Sequence, residues 1–292
     1  MLYQDEVRRV AMSSNAQDLQ RSSDVSWASV PSSAAVAWYD IWQGLHKSWF
    51  WGALAMQDIR LRYRGSIIGP FWLTLSMAIM IGAMGFLYSK LFNQDMSTYL
   101  PFLTTGLIVW NFISGQINEG CQTFIGAQGL IQSVSLPYSI HVYRQVMRGL
   151  IMLAHNLVIL PFVLLFYHVP LGWQTFEALP AFVLLCINCV WVALVLGMIS
   201  ARFRDVPLIV QNFVTILFFV TPIFFPPSAL GPWQDIAQLN PLFAAVDILR
   251  APLMGQGPAA SSWPIMLAVT GIGWVVAFLF FSRFSSRIAY WV

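Results

Sequence analysis

Long stretches without a charged side chain dominate the hydrophobic pattern of this chain. Seven stretches of at least 23 residues contain no Asp, Glu, Lys or Arg: 65–89, 96–118, 120–143, 149–176, 178–201, 206–234 and 251–282. A helix needs about 20 apolar residues to cross the hydrocarbon core of a bilayer. The pattern therefore predicts an all-α integral membrane protein with several crossings.

One of these stretches, 120–143, differs from the others because it is polar. It carries three glutamines, several serines, Pro137 and His141, which hydrocarbon would penalise. We predict a polar connection with short helical pieces here. Six membrane helices remain, over about 67–88, 99–119, 146–167, 179–200, 207–225 and 263–282.

The basic residues alternate between the connections of this six-helix pattern. Thirteen of the 15 Lys and Arg residues precede the first helix, follow the last, or lie in the second and fourth connections. Only Lys90 and Arg250 lie in the other connections. Because basic residues collect on the cytoplasmic side, we predict that both termini are cytoplasmic.

Three regions of different composition divide the chain. Residues 1–40 are rich in Ser and Ala and predict a poorly ordered cytoplasmic tail. Residues 41–64 mix tryptophans with arginines and predict an amphipathic helix in the membrane interface. Residues 65–292 form the predicted membrane domain, in which the external segment 226–262 predicts short re-entrant or interfacial helices between the fifth and sixth spans.

Composition narrows the possible functions. Hydrophobic residues make up 58% of the chain and charged residues 9%, against roughly a quarter charged in soluble domains, and we expect no nucleic-acid partner. Cys186 and Cys189 form a C-x-x-C without a neighbouring His or acid, which favours packing over a metal or redox site. The chain has no G-x-x-x-x-G-K-[ST] motif and no hydrolase motif, so we predict no ATPase site and no catalytic residues of its own.

Arg60, Arg62 and Arg64 alternate just before the first span, and two interpretations remain open for them. They could bind phosphate groups, or they could serve orientation and anionic lipid alone. Glu119, at the inner end of the second span, needs a partner such as one of these arginines or Arg148 and predicts a structural ion pair.

Other polar residues near the spans have ordinary structural explanations. Arg202, Arg204 and Asp205 form a compact turn that is either a hinge or a capped turn. His155, Asn156 and Asn188 lie inside spans and predict interhelical hydrogen bonds rather than a proton relay.

Aromatic residues are abundant in the first and fifth spans. They either pack in the core or line a path where sugar rings could stack. These residues are Phe71, Trp72, Phe86, Phe213, Phe218, Phe219, Phe224 and Phe225.

A series of motifs over about residues 41–290 resembles the ABC type-2 permeases, and in particular the branch that exports cell-surface polysaccharide such as O-antigen. The motifs are the basic segment Arg60 to Pro70 with Trp72, the turn Leu136-Pro137-Tyr138, the run Arg202 to Pro207, the sequence Thr221-Pro222-Ile223, and Asn240-Pro241-Leu242 with Asp247 and Arg250.

The resemblance implies a homodimer in the bacterial inner membrane, joined to two copies of a cytoplasmic ATP-binding subunit that holds the ATP and Mg. No cofactor is then expected on this chain. It implies a polyprenyl-diphosphate-linked glycan as substrate, with the three arginines as diphosphate ligands. The residues implied to contact the ATPase are Leu136, Pro137, Tyr138, His141 and Arg144.

Two other functions stay open. An ABC type-2 permease could export capsule, teichoic acid, a lipid or a drug instead. An intramembrane enzyme could use His155, Asn156 and Glu119, and would act without an ATPase partner.

Overall fold

The computed structural model describes residues 34–69 and 71–292, and within them all regular structure is helical. The helices are α1 (Ala34–His46), α2 (Ser48–Arg62), α3 (Phe71–Leu91), α4 (Met96–Cys121), α5 (Gln128–Ser133), α6 (Ser139–Leu157), α7 (Ile159–Phe166), α8 (Ala178–Arg202), α9 (Val206–Val220), α10 (Gln234–Gln238), α11 (Pro241–Leu253), α12 (Ser262–Phe284) and α13 (Ile288–Trp291). Short 3-10 helices cover Ile125–Ala127, Trp173–Glu177, Pro227–Trp233 and Ser285–Arg287.

Five helical segments in this part of the chain are long and apolar enough to cross a membrane. They are Phe71–Leu91, Met96–Cys121, Ser139–Phe166, Trp173–Arg202 and Ser262–Trp291. The prediction of an all-α membrane protein is confirmed. The sixth apolar helix, α9, has 15 residues and a length of about 22 Å, which is less than the roughly 30 Å of the hydrocarbon core.

The chain nevertheless continues past α9 towards the opposite end of the bundle. α9 begins at the end that holds Arg62, Glu119 and Arg148, which we call the basic end. Arg204, in the turn before α9, donates to the Trp291 carbonyl (3.1 Å). The next residue, Val292, accepts from Gln132 (3.2 Å), which lies in the connection between α4 and α6 at this end. Beyond α9, the Phe224 carbonyl accepts a hydrogen bond from Tyr99. Tyr99 lies in the first turn of α4, whose last turn holds Glu119.

The helix predicted over 207–225 ends at Val220 because of the sequence that follows. Thr221 has extended backbone angles (φ −90°, ψ 135°), as a residue before proline prefers. The irregular backbone of this break is buried, and side chains bond its carbonyls. Arg250 donates to the Pro222 carbonyl (3.0 Å), while Asn240 donates to the Thr221 hydroxyl (3.0 Å).

Helix α11 turns the segment after α9 back into the bundle. Asn240 caps its start by accepting from the Leu242 amide (2.9 Å), and ten of its 13 residues are buried. Its first residues line an apolar cavity of about 300 Å³ together with Ile113 from the middle of α4 and Asn188 from the middle of α8. The predicted re-entrant element is therefore a buried helix.

Gly106 gives a test of how closely the break after α9 approaches α4. A Cβ atom at Gly106 would lie 2.8 Å from the backbone oxygen of Ile223, whereas at Gly115 on the same helix it would meet nothing within 4 Å. Helix propensity favours Ala equally at both positions, and overpacking costs 1–3 kcal/mol. We expect Gly106→Ala to be less stable than Gly115→Ala by about 2 kcal/mol, measured by denaturant unfolding in mixed micelles. Equal stabilities would contradict the close approach.

Candidate functional site

Five charged side chains from three helices form an ionic cluster at the basic end. Asp58 accepts a bidentate pair of bonds from Arg144, with Nε at 2.7 Å, and a third from Arg148 (2.9 Å). Arg148 also donates to Glu119 (2.9 Å), which accepts from Arg62 as well (3.1 Å). The cluster thus joins α2, α4 and α6.

Partial burial strengthens the ion pairs of this cluster. The side chains of Asp58 and Arg148 are 16% and 17% exposed, while Arg62 is 45% exposed. Burial acts to raise the pKa of Asp58, but the hydrogen bonds and charges of Arg144 and Arg148 outweigh it, so the pKa lies below the ordinary value. Asp58 is therefore ionised at neutral pH.

A second carboxylate fixes the start of α6. Asp40 of α1 accepts from the backbone amides of Tyr138 (2.8 Å) and Ser139 (2.9 Å), and the Ser139 hydroxyl donates to the Asp40 carbonyl (2.7 Å). These amides are the free donors at a helix N-terminus. The predicted tail of residues 1–40 is thus wrong for 34–40, which are helical and anchored by this cap. Residues 1–33 of the predicted tail lie outside the described residues.

Asp40 should make the docking of α1 depend on pH. Burial raises its pKa to about 6, although the bonds from Ser139 and Tyr138 act in the opposite direction. As the pH falls from 6 towards the unfolded value of 3.8, the docked form binds a proton that the undocked form does not, so docking strengthens. We expect slower amide exchange in α1 at pH 5 than at pH 7, after correction for intrinsic rates. Asp40→Asn should remove this difference; a difference that persists would assign it to another group.

Most of the residues implied to contact an ATPase are buried in the fold. Pro137, Tyr138 and His141 are buried, the last two with 5% and 2% exposure. Leu136 is half-buried, and Arg144 is engaged with Asp58. Burial leaves Pro137, Tyr138 and His141 little surface for a direct contact, and the coupling role of these residues stays a prediction.

The same connection offers a different exposed surface. Residues 132–135 and the start of α5 at Gln128 and Gly129 are exposed. The Gln132 amide donates to the Val292 carbonyl (3.2 Å). This surface, rather than the turn at Pro137, is open to a partner.

The three arginines of the basic segment fall into two groups. Arg62 bonds Glu119, one of the partnerships that the sequence predicts. Arg60 and Arg64 are exposed and form no ion pair with any residue in 34–69 or 71–292. Their guanidinium groups are thus accessible to an external anion.

The aromatic residues of α3 and α9 also separate into two groups. Phe218 packs on Trp110 (5.9 Å between ring centroids) and on Phe224 (5.3 Å), and Phe224 packs on Tyr88 (5.3 Å). Both are half-buried and pack against the core, and half-buried Phe225 contacts Phe224. The others expose more than half of their surface: Phe71, Trp72, Phe86, Phe213 and Phe219.

The turn predicted as a hinge is tied to the last helix. Arg202 lies over the rings of Phe203 (5.8 Å) and Trp291 (6.0 Å), and Arg204 bonds the Trp291 carbonyl. Asp205 is exposed and precedes α9. The role of this turn as a hinge stays a prediction.

The polar residues inside the spans form hydrogen bonds. Asn188 of α8 donates to Thr270 of α12 (2.7 Å), the interhelical bond that the sequence predicts. Asn156 donates weakly to Asn111 (3.5 Å), whereas His155 bonds the Ile151 carbonyl within its own helix.

The arrangement defines a polytopic helical membrane protein with a buried helix, α11, after the break and a basic end at which α1 and α2 are bonded to α6. Residues 50–254 match the family model described as "ABC-2 type transporter", and the chain belongs to this family. It is a transporter permease, as the sequence predicts, with ATP hydrolysis in a separate subunit.

The chain is similar to relatives named "O-antigen export system permease protein RfbA". It is 25% identical over 244 residues to the protein from Myxococcus xanthus, covering 80% of this chain and 91% of the relative. It is 24% and 23% identical to two proteins from Klebsiella pneumoniae, with the same coverage.

Proposed function

We propose that this chain is the channel-forming subunit of an ATP-driven exporter that moves lipid-linked, O-antigen-like polysaccharide across the bacterial inner membrane. Support comes from the family and from relatives named as O-antigen export permeases. Two copies of the chain would enclose the path, and two ATP-binding subunits would dock at the basic end. Both termini would then face the cytoplasm.

The observation that carries the proposal is the pair of accessible arginines at the end of α2. Arg60 and Arg64 stand beside the ionic cluster, directly before the first span. A diphosphate is a dense, accessible anion that arginine binds through charge-assisted bonds. A polyprenyl diphosphate would place its charged group there and keep its chain in the bilayer.

The exposed aromatics suit the sugar part of such a substrate. Phe71 and Trp72 follow the basic segment, and Phe213 and Phe219 lie on α9. Aromatic faces stack on sugar rings without fixing one register, which a sliding polymer requires.

Energy would reach this path through α1, α2 and α6. Closure of the ATP-binding subunits would press on the exposed surface at 128–135, and hydrolysis would reset it. The ionic cluster would transmit that motion from α6 to α2 and so to the arginines.

We expect the variant Arg60→Gln/Arg64→Gln to reduce polymer at the cell surface by about tenfold or more, because charge-assisted bonds contribute 1.5–3 kcal/mol each. Lipid-linked polymer should accumulate inside the cell. The measurement is surface polysaccharide at matched abundance of the chain and of its ATP-binding subunit.

The matched control is Lys47→Gln/Arg283→Gln, which removes the same charge from the same predicted side. It should export normally. Equal export by both variants would dismiss the diphosphate role. Normal polymer in cells that lack this chain altogether would dismiss the proposed substrate class.

A further inference from the structure

A second cavity, which unlike the first is lined by charged as well as apolar side chains, lies between the end of α8 and the end of α12. It is a cavity of about 360 Å³, within the range of ligand sites. Met198, Ile199, Phe280 and Phe284 form an apolar wall, and Arg202 and Arg287 supply positive charge.

The two arginines of this cavity have no acidic partner. Neither lies within 4.0 Å of a carboxylate in the described part of the chain. Arg202 stacks over Trp291, and Arg287 over Phe284 (5.8 Å). Ring stacking restrains both guanidinium groups while leaving their N–H donors available.

The apolar and charged sides of the cavity are arranged along the direction of the spanning helices, as the apolar and polar layers of a membrane are. Its wall continues the apolar surfaces of α8 and α12, whereas its arginines lie at the last turn of α8 and in the 3-10 helix after α12. A ligand that fills it needs a negative head and an apolar body.

We propose that this cavity binds an anionic phospholipid of the surrounding bilayer, with the lipid phosphate between Arg202 and Arg287 and an acyl chain along Phe280 and Phe284. Each arginine near an anionic headgroup contributes about 1 kcal/mol, or about fivefold in affinity. The bound lipid links the turn before α9 to the end of α12. This site is separate from the proposed diphosphate ligands.

The test is native mass spectrometry of the full chain with its ATP-binding subunit, released from nanodiscs of phosphatidylcholine and phosphatidylglycerol. The unaltered chain should retain phosphatidylglycerol in preference. Arg287→Gln and Arg202→Gln should each reduce retention about fivefold, and Arg287→Lys should keep most of it. The matched control is Arg283→Gln, one turn earlier, which removes an equal charge outside the cavity and should retain the lipid.

Three results would overturn the proposal. One is equal retention by Arg287→Gln and Arg283→Gln. Another is displacement of the lipid by inorganic phosphate at millimolar concentration, which would indicate a site for free anions. The third is loss of the ATP-binding subunit from the Arg202 and Arg287 variants without any change in lipid retention, which would assign the arginines to a protein interface.

Discussion

Asp58→Asn is expected to lower the free energy of unfolding by about 3 kcal/mol, at the lower end of the range for breaking a buried ion pair. Among residues 34–69 and 71–292, Asp58 is the one carboxylate that both Arg144 and Arg148 bond. The neutral amide leaves one guanidinium without a counter-charge and opposes the other with its NH2 group. Denaturant unfolding in mixed micelles measures the effect.

Asp205→Asn is the control for this experiment, because Asp205 is exposed and its side chain forms no ion pair in the described chain. It should change stability by less than about 0.5 kcal/mol. A double-mutant cycle with Arg144→Gln should give a coupling energy of 0.5–3 kcal/mol for the Asp58 pair. Additive losses would show that the two side chains act independently.

Arg250→Met is expected to cost still more, about 4 kcal/mol. Arg250 is 3% exposed, and its guanidinium lies 4.3 Å from the centre of the Phe102 ring. It also donates to the Pro222 carbonyl and lies 3.8 Å from Asp247. Its loss leaves a buried carbonyl unbonded and a buried carboxylate with one partner fewer.

Lys90→Met provides the comparison, since Lys90 is the other basic residue predicted outside the cytoplasmic side and it is exposed. This variant should unfold near the unaltered midpoint. Arg250→Lys should recover only part of the loss, because an ammonium cannot stack on Phe102 with the planar geometry of guanidinium. Near-normal stability of Arg250→Met would contradict a stabilising role of Arg250 at the break after α9.

Long apolar runs made most of the membrane helices predictable. α4, α8 and α12 begin and end within a few residues of the predicted limits, because lipid demands continuous apolar sequence. The third and fifth spans are exceptions. The fifth ends at Val220 instead of residue 225, before Thr221-Pro222. The sequence predicts the start of the third span at residue 146, but α6 begins at Ser139, since Asp58 and Glu119 neutralise Arg144 and Arg148 and let a charged segment continue the helix.

Less of the candidate site than of the fold could be predicted from the sequence. The position of Glu119 at the end of a span predicts a basic partner, because a carboxylate close to hydrocarbon requires a neighbouring cation. Asp58 and Asp40 carried no such signal, as both lie in polar segments where acids are ordinary. The burial of Tyr138 depends on the docking of α1, through contacts almost a hundred residues apart in the chain. His141 lies instead beside Thr123 and Ala127, which follow α4.

The two carboxylates of the N-terminal helices hold α6 at separate points. The Asp40 carboxylate accepts a hydrogen bond from the first residue of α6. The Asp58 carboxylate bonds Arg144 and Arg148, which lie five to nine residues later, or about 8–14 Å further along the helix axis. A helix attached at one point can rotate about that point, whereas attachment at two separate points prevents this rotation. α1 and α2 are thus each bonded to α6, and we expect a displacement of α6 to move both helices with it. The connection from α2 to α3 has positive φ angles at Gly65 and Gly69, a conformation that glycine adopts readily, and we expect the change in angle between these helices and α3 to occur there.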